Sequence, residues 1–459
     1  MSDHERNGDV SFWYADLGGL PARRWPLDGN ARADVCIVGA GYTGLWAAYY
    51  LKHADPGLNI IIVEKEFAGY GASGRNGGWL TGGFEWNHER YAAIGGAAGA
   101  RDMVRAMEGT VDEVCRVAEA EGIAADILRV DELTVAVNLA QEARLRVEID
   151  HRRRWGEDRL EWIGADAALA RVRIPDLRGA MAMRGAARVQ PAKLVRRLAT
   201  AVERLGVRIA EGTEARRIAP GQVRTAHGTV RAGAVLRAIE GYTATLPGLR
   251  REWLPLNSAQ IVTEPLPKSV WDRIGWEGHE ILGDASNSYC YCQRTREGRI
   301  TVGARGVPYR LGSGIDFDGR TDKVTYARLV DILHRHFPAA KDVGIAHVWC
   351  GVLGAPRDWC ATVGFDPASG VGWGGGYVGV GVSTSNLAGR TLCDLVMGRE
   401  TELTRLPWAN RRVRRWEPEP LRWLGVRGMH RLLLLADRAE ARGGGPSAWA
   451  KLGKRLAGR

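Results

Sequence analysis

Long apolar stretches, paired cysteines and a chain-wide excess of charge are all missing from this sequence, and each absence narrows what it can be. No apolar run approaches the roughly 18 residues that a membrane-spanning helix needs; the best uninterrupted one, Leu45 to Leu51, is far too short. The seven cysteines stand at 36, 115, 290, 292, 350, 360 and 393, an odd number without a CxxC pair. That scatter fits reduced thiols better than a disulfide framework, and no Cys/His group has the spacing of zinc ligands. The opening residues, Met1-Ser2-Asp3-His4-Glu5-Arg6, are polar with no apolar segment behind them, so no signal peptide is visible. Internal repeats are also absent. We therefore expect a soluble, cytoplasmic protein.

The basic charge is confined in the same way. The net charge is +11, yet residues 405–459 hold 14 Lys/Arg against 4 Asp/Glu, giving +10 and leaving about +1 for the other 404 residues. A catalytic domain that binds nucleic acid carries its own basic face, so nucleic acid is not an expected partner of the body of the chain. Hydrophobic residues at 45% and charged residues at 25% are ordinary globular values. The length allows two or three domains.

What is present in abundance is glycine, at 60 of 459 positions. A dinucleotide fingerprint, Gly39-Ala40-Gly41-Tyr42-Thr43-Gly44, is thus expected roughly once by chance, and the same pattern recurs at Gly69, Gly370 and Gly374. Only the copy at Gly39 has the right setting. Asp34 to Val38 reads as a buried strand, Gly41 to His53 as a helix with Leu45, Ala48 and Leu51 on one face, and Ile60 to Val63 as a second buried strand ending at Glu64. In that setting Gly39 permits the turn, Gly41 lets backbone approach a pyrophosphate, and Gly44 lets helix and strand pack closely. The helix N-terminus offers unpaired N–H groups to phosphate, and Glu64 is placed to accept from ribose hydroxyls.

Further along, residues 91–122 are helical in pattern and are expected to open a second lobe. Gln190-Pro191 opens an amphipathic helix, with Pro191 suited to its first turn. Short β segments follow at 207–210, 214–218, 222–225, 228–231 and 234–238, the last running into Glu240-Gly241. Residues 255–345 look β-rich, with Tyr289-Cys290-Tyr291-Cys292 and Arg299-Ile300-Thr301-Val302-Gly303 as strands. A glycine-dense stretch, 370–381, precedes a helix from about Ser385 to Met397.

The run Glu64-Lys65-Glu66-Phe67-Ala68-Gly69-Tyr70-Gly71-Ala72-Ser73-Gly74-Arg75-Asn76-Gly77-Gly78 resembles the signature of the FAD-dependent D-amino acid oxidase-like superfamily, in its glycine/sarcosine oxidase and γ-glutamylputrescine oxidase branch. In that family the small residues let backbone amides run along the pyrophosphate and ribityl chain. Gly376-Tyr377-Val378-Gly379-Val380-Gly381 with Ser385-Asn386-Leu387-Ala388-Gly389-Arg390 resembles the family's C-terminal flavin element, whose helix N-terminus faces the pyrimidine end. The resemblance implies an α/β fold: a Rossmann-like FAD-binding domain (33–95, 175–250 and 350–400) interleaved with a β-rich substrate domain (96–174 and 251–349), plus a basic helical C-terminal tail (401–459). It implies FAD contacts from Gly39, Gly41, Tyr42, Thr43, Gly44, Glu64, Lys65, Gly71, Ala72, Ser73, Arg75, Asn76, Gly77, Gly78, Ala215, Gly241, Gly376, Val378, Gly379, Val380 and Gly381. The implied reaction is hydride transfer from a C–H beside an amine nitrogen to flavin N5, giving an imine that water hydrolyses.

No acid–base dyad is demanded, and His53, His334 and His336 read as surface or core residues. Trp79, Trp359 and Tyr377 are the aromatic candidates for an amine-binding wall, with a core role as the alternative for each. Arg294, Arg305 and Arg357 are candidate anchors for a substrate carboxylate, or structural ion-pair residues. Two departures from the family stand out. Thr301 occupies the approximate place of a lysine that activates O2, which leaves open both O2 and another electron acceptor. Cys350 lies near the family's covalent flavin attachment, although a plain buried thiol fits as well. The tail, with Arg411-Arg412-Val413-Arg414-Arg415-Trp416, Trp423, Trp449, Lys451, Lys454 and Arg455, reads as a cover on the FAD domain, as a contact with anionic membrane or, less readily, as an RNA contact.

Overall fold

The computed structural model describes residues 7–304, 309–443, 445 and 447–449. Two sheets organise them. The first places Val371–Gly375, Thr229–Arg237, Ala31–Val38, Ile60–Val63 and Arg208–Ala210 side by side in parallel, with Thr362–Asp366 antiparallel at one edge. A meander of Ala215–Ala219 and Gln222–Thr225 extends from the amino end of Thr229–Arg237. The parallel strands are short and apolar because both faces are covered. Helices Tyr42–Ala54, Pro191–Arg204 and Gly381–Val396 pack on one face around Ile37, Trp46, Ile62, Leu198 and Leu387; Leu27, Cys36, Ile61 and Val235 fill the other. Pro191 stands in the first turn of its helix, and the Gln190 side chain caps the Lys193 amide as its N-terminal acceptor.

The second sheet is mixed: Ile345–Ala355, Leu254–Thr263, Ile300–Ala304, Cys290–Arg294, Ile281–Asp284, Leu128–Ala136, Gly179–Arg188 and Trp79–Leu80 in order, with Leu160–Gly164 beside Gly179–Arg188. Its own core holds Leu133, Ile261, Trp276, Leu282, Ile300 and Leu333.

Two expected boundaries move. The helix His88–Ala120 was expected to open the second lobe, but Met103, Met107, Val111 and Val114 pack into the core of the first sheet. Strand Gly179–Arg188, assigned from the sequence to the nucleotide-binding segment starting at 175, belongs to the second sheet. The chain crosses back at Gln190-Pro191. Segments 228–231 and 234–238 merge into one strand, and the last helix of the first lobe begins at Gly381 rather than Ser385. The tail is helical over Leu421–Glu440, as expected after Glu419, while residues 405–420 form an irregular strap with Trp408 and Trp416 buried.

Candidate functional site

The carboxyl ends of four parallel strands meet at one cleft, where an open α/β sheet places its ligands. Gly39 leaves the first strand with φ +105°, and a Cβ there would stand 2.6 Å from the Ala238 carbonyl oxygen. At Gly44 a Cβ would lie 2.1 Å from the Gly39 oxygen, which accounts for the close packing of helix on turn. Gly41 is the N-cap of Tyr42–Ala54 and has no side-chain cap. Instead the Tyr42 amide donates to Ser73 Oγ at 2.9 Å, tying the helix start to the second glycine loop. The helix Gly381–Val396 also lacks a side-chain cap, and Gly381, Val382 and Ser385 in its first turn line the same cleft. Two helix N-termini therefore turn uncapped amides towards one cavity.

Two half-buried carboxylates line the cleft. Glu64 Oε2 accepts from the Ala40 amide at 2.9 Å and Oε1 from the Glu66 amide at 2.9 Å. Its carboxylate thus shapes the glycine turn, a task the sequence reading had not given it. Glu240, at the end of the neighbouring strand, was missed as a site residue. Its Oε2 accepts from Gly354 N at 2.7 Å and its Oε1 from Gly376 N and Tyr377 N at 2.9 and 3.0 Å. That one side chain joins the first sheet, the C-terminal glycine element and a strand of the second sheet. Burial pushes both carboxyls up to about 7, against the backbone amides that hold them down.

The loop 71–78 is held by its carbonyls. Gln260 Nε2 and Trp349 Nε1 donate to Arg75 O at 2.6 and 2.9 Å, Trp13 Nε1 to Asn76 O at 2.7 Å, and Gln293 Nε2 to Gly77 O and Gly78 O at 2.9 and 3.1 Å. Ser11 Oγ donates to Gly74 O at 2.8 Å. Arg75, expected to contact the cofactor, is buried elsewhere: it donates to the carbonyls of Tyr70, Phe317 and Cys350 at 2.7, 2.8 and 3.2 Å. Its guanidinium satisfies backbone oxygens under the loop and does not line the cleft.

The cleft holds a cavity of about 280 Å³, near the lower end of the roughly 300–1,000 Å³ of ordinary small-molecule pockets. Gly39, Gly41, Tyr42, Thr43, Glu64, Lys65, Gly71, Ala72, Ser73, Asn76, Ala215, Val378, Gly379 and Gly381, each expected among the FAD contacts, line it, as does Tyr377, expected in the amine-binding wall. Gly44, Gly77, Gly78, Gly241, Gly376 and Val380 stand behind the lining. Gly241 is a close-approach point, where a Cβ would meet Val352 Cγ1 at 2.7 Å, and Gly376 would drive one into Pro356 at 2.4 Å. Tyr242 and Phe317, stacked with ring centres 5.5 Å apart, line the cleft and were not anticipated. The buried Tyr242 hydroxyl has no protein partner, as a wall built for a polar ligand would leave it. An elongated cavity with two helix N-termini, glycine turns that admit no Cβ and one orphaned hydroxyl fits FAD.

The three aromatic candidates do not share a wall. Tyr377 lines the cleft, but its hydroxyl pairs with Thr43 Oγ1 at 2.8 Å and clasps the two glycine elements together. Trp359 packs on Trp416 under the tail, at a turn where its φ is +60°. Trp79 lies on the second sheet, donating to Cys292 O at 3.1 Å, with Tyr291 edge-on to it at 6.2 Å. Strand alternation places Tyr289 and Tyr291 on one face and Cys290 and Cys292 on the other, so the Trp79–Tyr291 corner had a readable signal. Of the candidate anchors, Arg294 pairs with Glu277 at 3.1 Å and Arg357 with Glu417 at 3.0 Å, while Arg305 lies outside the described residues. Arg188, beside Trp79 in sheet register, was not singled out: it is buried, no acceptor reaches its Nε, and it makes no ion pair among the described residues. Cys350 is a buried thiol donating to Arg320 O at 3.3 Å, and burial pushes it up to about 12. Thr301 is buried on the second sheet, with no lysine on its strand.

Fold and cleft together define a dinucleotide-binding oxidoreductase of two interleaved lobes. The chain belongs to the DAO family of FAD dependent oxidoreductases, whose family model matches residues 34–395. It is 29% identical over 409 residues to the gamma-glutamylputrescine oxidoreductase of Escherichia coli (strain K12), covering 87% of this chain and 90% of that one. Among solved structures it resembles glycine oxidase from Geobacillus kaustophilus (TM-score 0.70, 22% identity, 83% of this chain and 99% of that one) and L-proline dehydrogenase from P. horikoshii (TM-score 0.68, 17% identity, 83% and 98%). At those identities the structures speak for the fold.

Proposed function

We propose that this chain oxidises the carbon–nitrogen single bond of an amine or amino acid with FAD, and that its substrate carries a carboxylate. The reading rests on one juxtaposition: the flavin loop ends against an aromatic corner, Gly77 lying on the Tyr291 ring, with the buried Arg188, which makes no ion pair among the described residues, beside Trp79 in register. The names of the relatives, which refer to a glutamylated diamine, glycine and proline, agree with that class. Bound FAD supplies the two-electron acceptor, leaving an imine for water to hydrolyse.

The protein's contribution is binding and desolvation. Trp79 and Tyr291 form an apolar corner whose polar tips are already taken, by Cys292 O and by Ser258 Oγ at 2.9 Å. Such a corner favours the neutral, electron-rich amine over the ammonium. Arg188 offers a guanidinium whose burial is offset by no ion pair, so a substrate carboxylate would gain a charge-assisted bidentate contact there. The test is anaerobic bleaching of the flavin spectrum by a panel of amines and amino acids, followed by air. Failure of every amine and amino acid to bleach it defeats the amine reading, and failure of air to restore it assigns a carrier or quinone as acceptor rather than O2. Arg188→Met is expected to raise KM for a carboxylate-bearing substrate about 10- to 100-fold while leaving that of a carboxylate-free amine unchanged. Equal effects on both would remove Arg188 from the site.

The outer face of the tail fits contact with an anionic membrane surface. Leu421, Leu424 and Leu435 are exposed there among Arg412, Arg414, Arg415, Arg431 and Arg438. No helix among the described residues is long and apolar enough to cross a membrane.

A further inference from the structure

On the second sheet, at residues that do not line the flavin cleft, three potential metal ligands converge. Asp284 ends the strand Ile281–Asp284, Cys290 begins its hairpin partner, and His336 is the last residue of the helix Lys323–His336. Their ligand atoms all lie within 4.8 Å of one another, with Cys290 Sγ to His336 Nε2 at 3.8 Å and His336 Nε2 to Asp284 Oδ2 at 3.6 Å. We propose that Asp284, Cys290 and His336 bind one divalent ion of the zinc class. Bonds of about 2.0–2.3 Å in tetrahedral geometry hold such ligand atoms roughly 3.3–3.6 Å apart, so the two pairs that His336 makes need to close by only a few tenths of an ångström, and Cys290 Sγ and the Asp284 carboxylate start within 4.8 Å of each other. Nitrogen, sulfur and oxygen together select zinc or cobalt over the oxygen-seeking magnesium and calcium.

The surroundings are those of a supported site. His336 Nδ1 faces the Ile332 carbonyl at 3.0 Å, which fixes the ring and leaves Nε2 for the cluster. Asp284 Oδ1 is held by the Cys290 amide at 2.7 Å and by Ser286 Oγ at 2.9 Å, keeping Oδ2 turned towards His336. All three side chains are buried, where an incomplete set of charges is costly. Bound as thiolate, carboxylate and neutral imidazole, the three side chains would balance the ion's two positive charges, and binding would involve no change of oxidation state. Arg328, on the same helix, is the cation that shares the field of Asp284 and of Asp437. Three protein ligands leave a fourth position to an oxygen donor.

The sequence concealed this group because its members lie 6 and 46 residues apart, outside any zinc-ligand spacing. The test uses the full-length, flavin-loaded protein, freed of metal by chelator dialysis and titrated with Zn²⁺ or Co²⁺. The expected result is one Zn²⁺ per chain, protons released on binding, and a thiolate-to-cobalt charge-transfer band in the difference spectrum. Cys290→Ser, checked for flavin content and thermal unfolding, is expected to lose that band and bind Zn²⁺ at least tenfold more weakly. Absence of stoichiometric binding, or tight binding unchanged in Cys290→Ser, overturns the proposal. If that variant fails to fold, the cobalt spectrum and proton release of the native protein decide alone.

Discussion

Glu64 and Glu240 show how single residues set the cofactor site. Both stand just beyond the carboxyl ends of parallel strands, and both accept backbone amides of glycine turns. Glu64 was legible because the fingerprint has an acid at a known distance; its actual partners, Ala40 and Glu66, were not. Glu240 belongs to no motif, and its partners lie 114 to 137 residues away. Arg75 was misread for the same reason: its acceptors at Phe317 and Cys350 lie 242 and 275 residues away. Glu240→Gln sets an amide N–H against one of three backbone donors, which should cost about 1–3 kcal/mol in thermal unfolding and weaken flavin retention. Because the folded carboxyls of Glu64 and Glu240 are raised to about 7, their contribution is full below about 4.5 and is lost as pH rises through 7. The stability of the flavin-free wild type relative to Glu240→Gln should therefore decline between pH 4.5 and 7, by on the order of 3 kcal/mol; a flat difference would contradict the shift. Gly41→Ala tests the turn more cleanly than Gly39→Ala, since Gly41 has an ordinary φ and its added Cβ would meet only Ser73 Oγ, at 2.9 Å. We expect a folded, colourless protein that co-purifies with little flavin.

Among the elements, the helix Leu421–Glu440 illustrates what periodicity can and cannot reveal. Its existence was legible from composition; the face it buries was not, because four scattered carboxylates decide it. Glu417 pairs with Arg357, Glu419 accepts from Tyr309 at 2.5 Å and from Arg422 at 3.0 Å, Asp437 holds Asn287 and Ser288, and Glu440 pairs with Arg144 at 2.7 Å. All four acidic residues of 405–459 thus pair with protein groups. Nor are its arginines uniformly solvated, since Arg411 pairs with Asp358 at 2.6 Å and Arg422 is buried. The remaining exposed charge is positive because the negative charge has been used in docking. Asp437→Ala with Glu440→Ala should loosen the helix, seen as faster proteolysis beyond residue 420 at unchanged flavin content, with a loss of roughly 2–4 kcal/mol. Intact protein should bind anionic but not neutral vesicles, with an affinity that falls in salt; indifference to lipid charge would remove the membrane reading.

At the scale of the molecule, the two-lobe α/β plan was readable, since a βαβ unit and buried parallel strands have a strong pattern. The crossing points were not. Strand Gly179–Arg188 and helix His88–Ala120 have the pattern of their kind but nothing local that names the core they join. The candidate site divides in the same way. Glycines that touch the cleft announced themselves, whereas Tyr242, Phe317 and Arg188 depend on tertiary placement alone.

The clasp on the flavin loop has a consequence for how the protein is made. Residues 71–78 leave the ribosome early, but the side chains that turn their carbonyls away from the cleft are Trp13, Gln260, Gln293 and Trp349, and the second helix N-terminus follows at Gly381. A nascent chain of 250 residues would hold the complete glycine fingerprint and Trp13 and still lack Gln260, Gln293 and Trp349, the other three contacts that aim the loop. Contacts of such sequence separation form late. Flavin capture is thus an event of the finished chain: ribosome-bound chains stalled before residue 349 should stay colourless, while release of the full-length polypeptide should be followed by uptake of the cofactor.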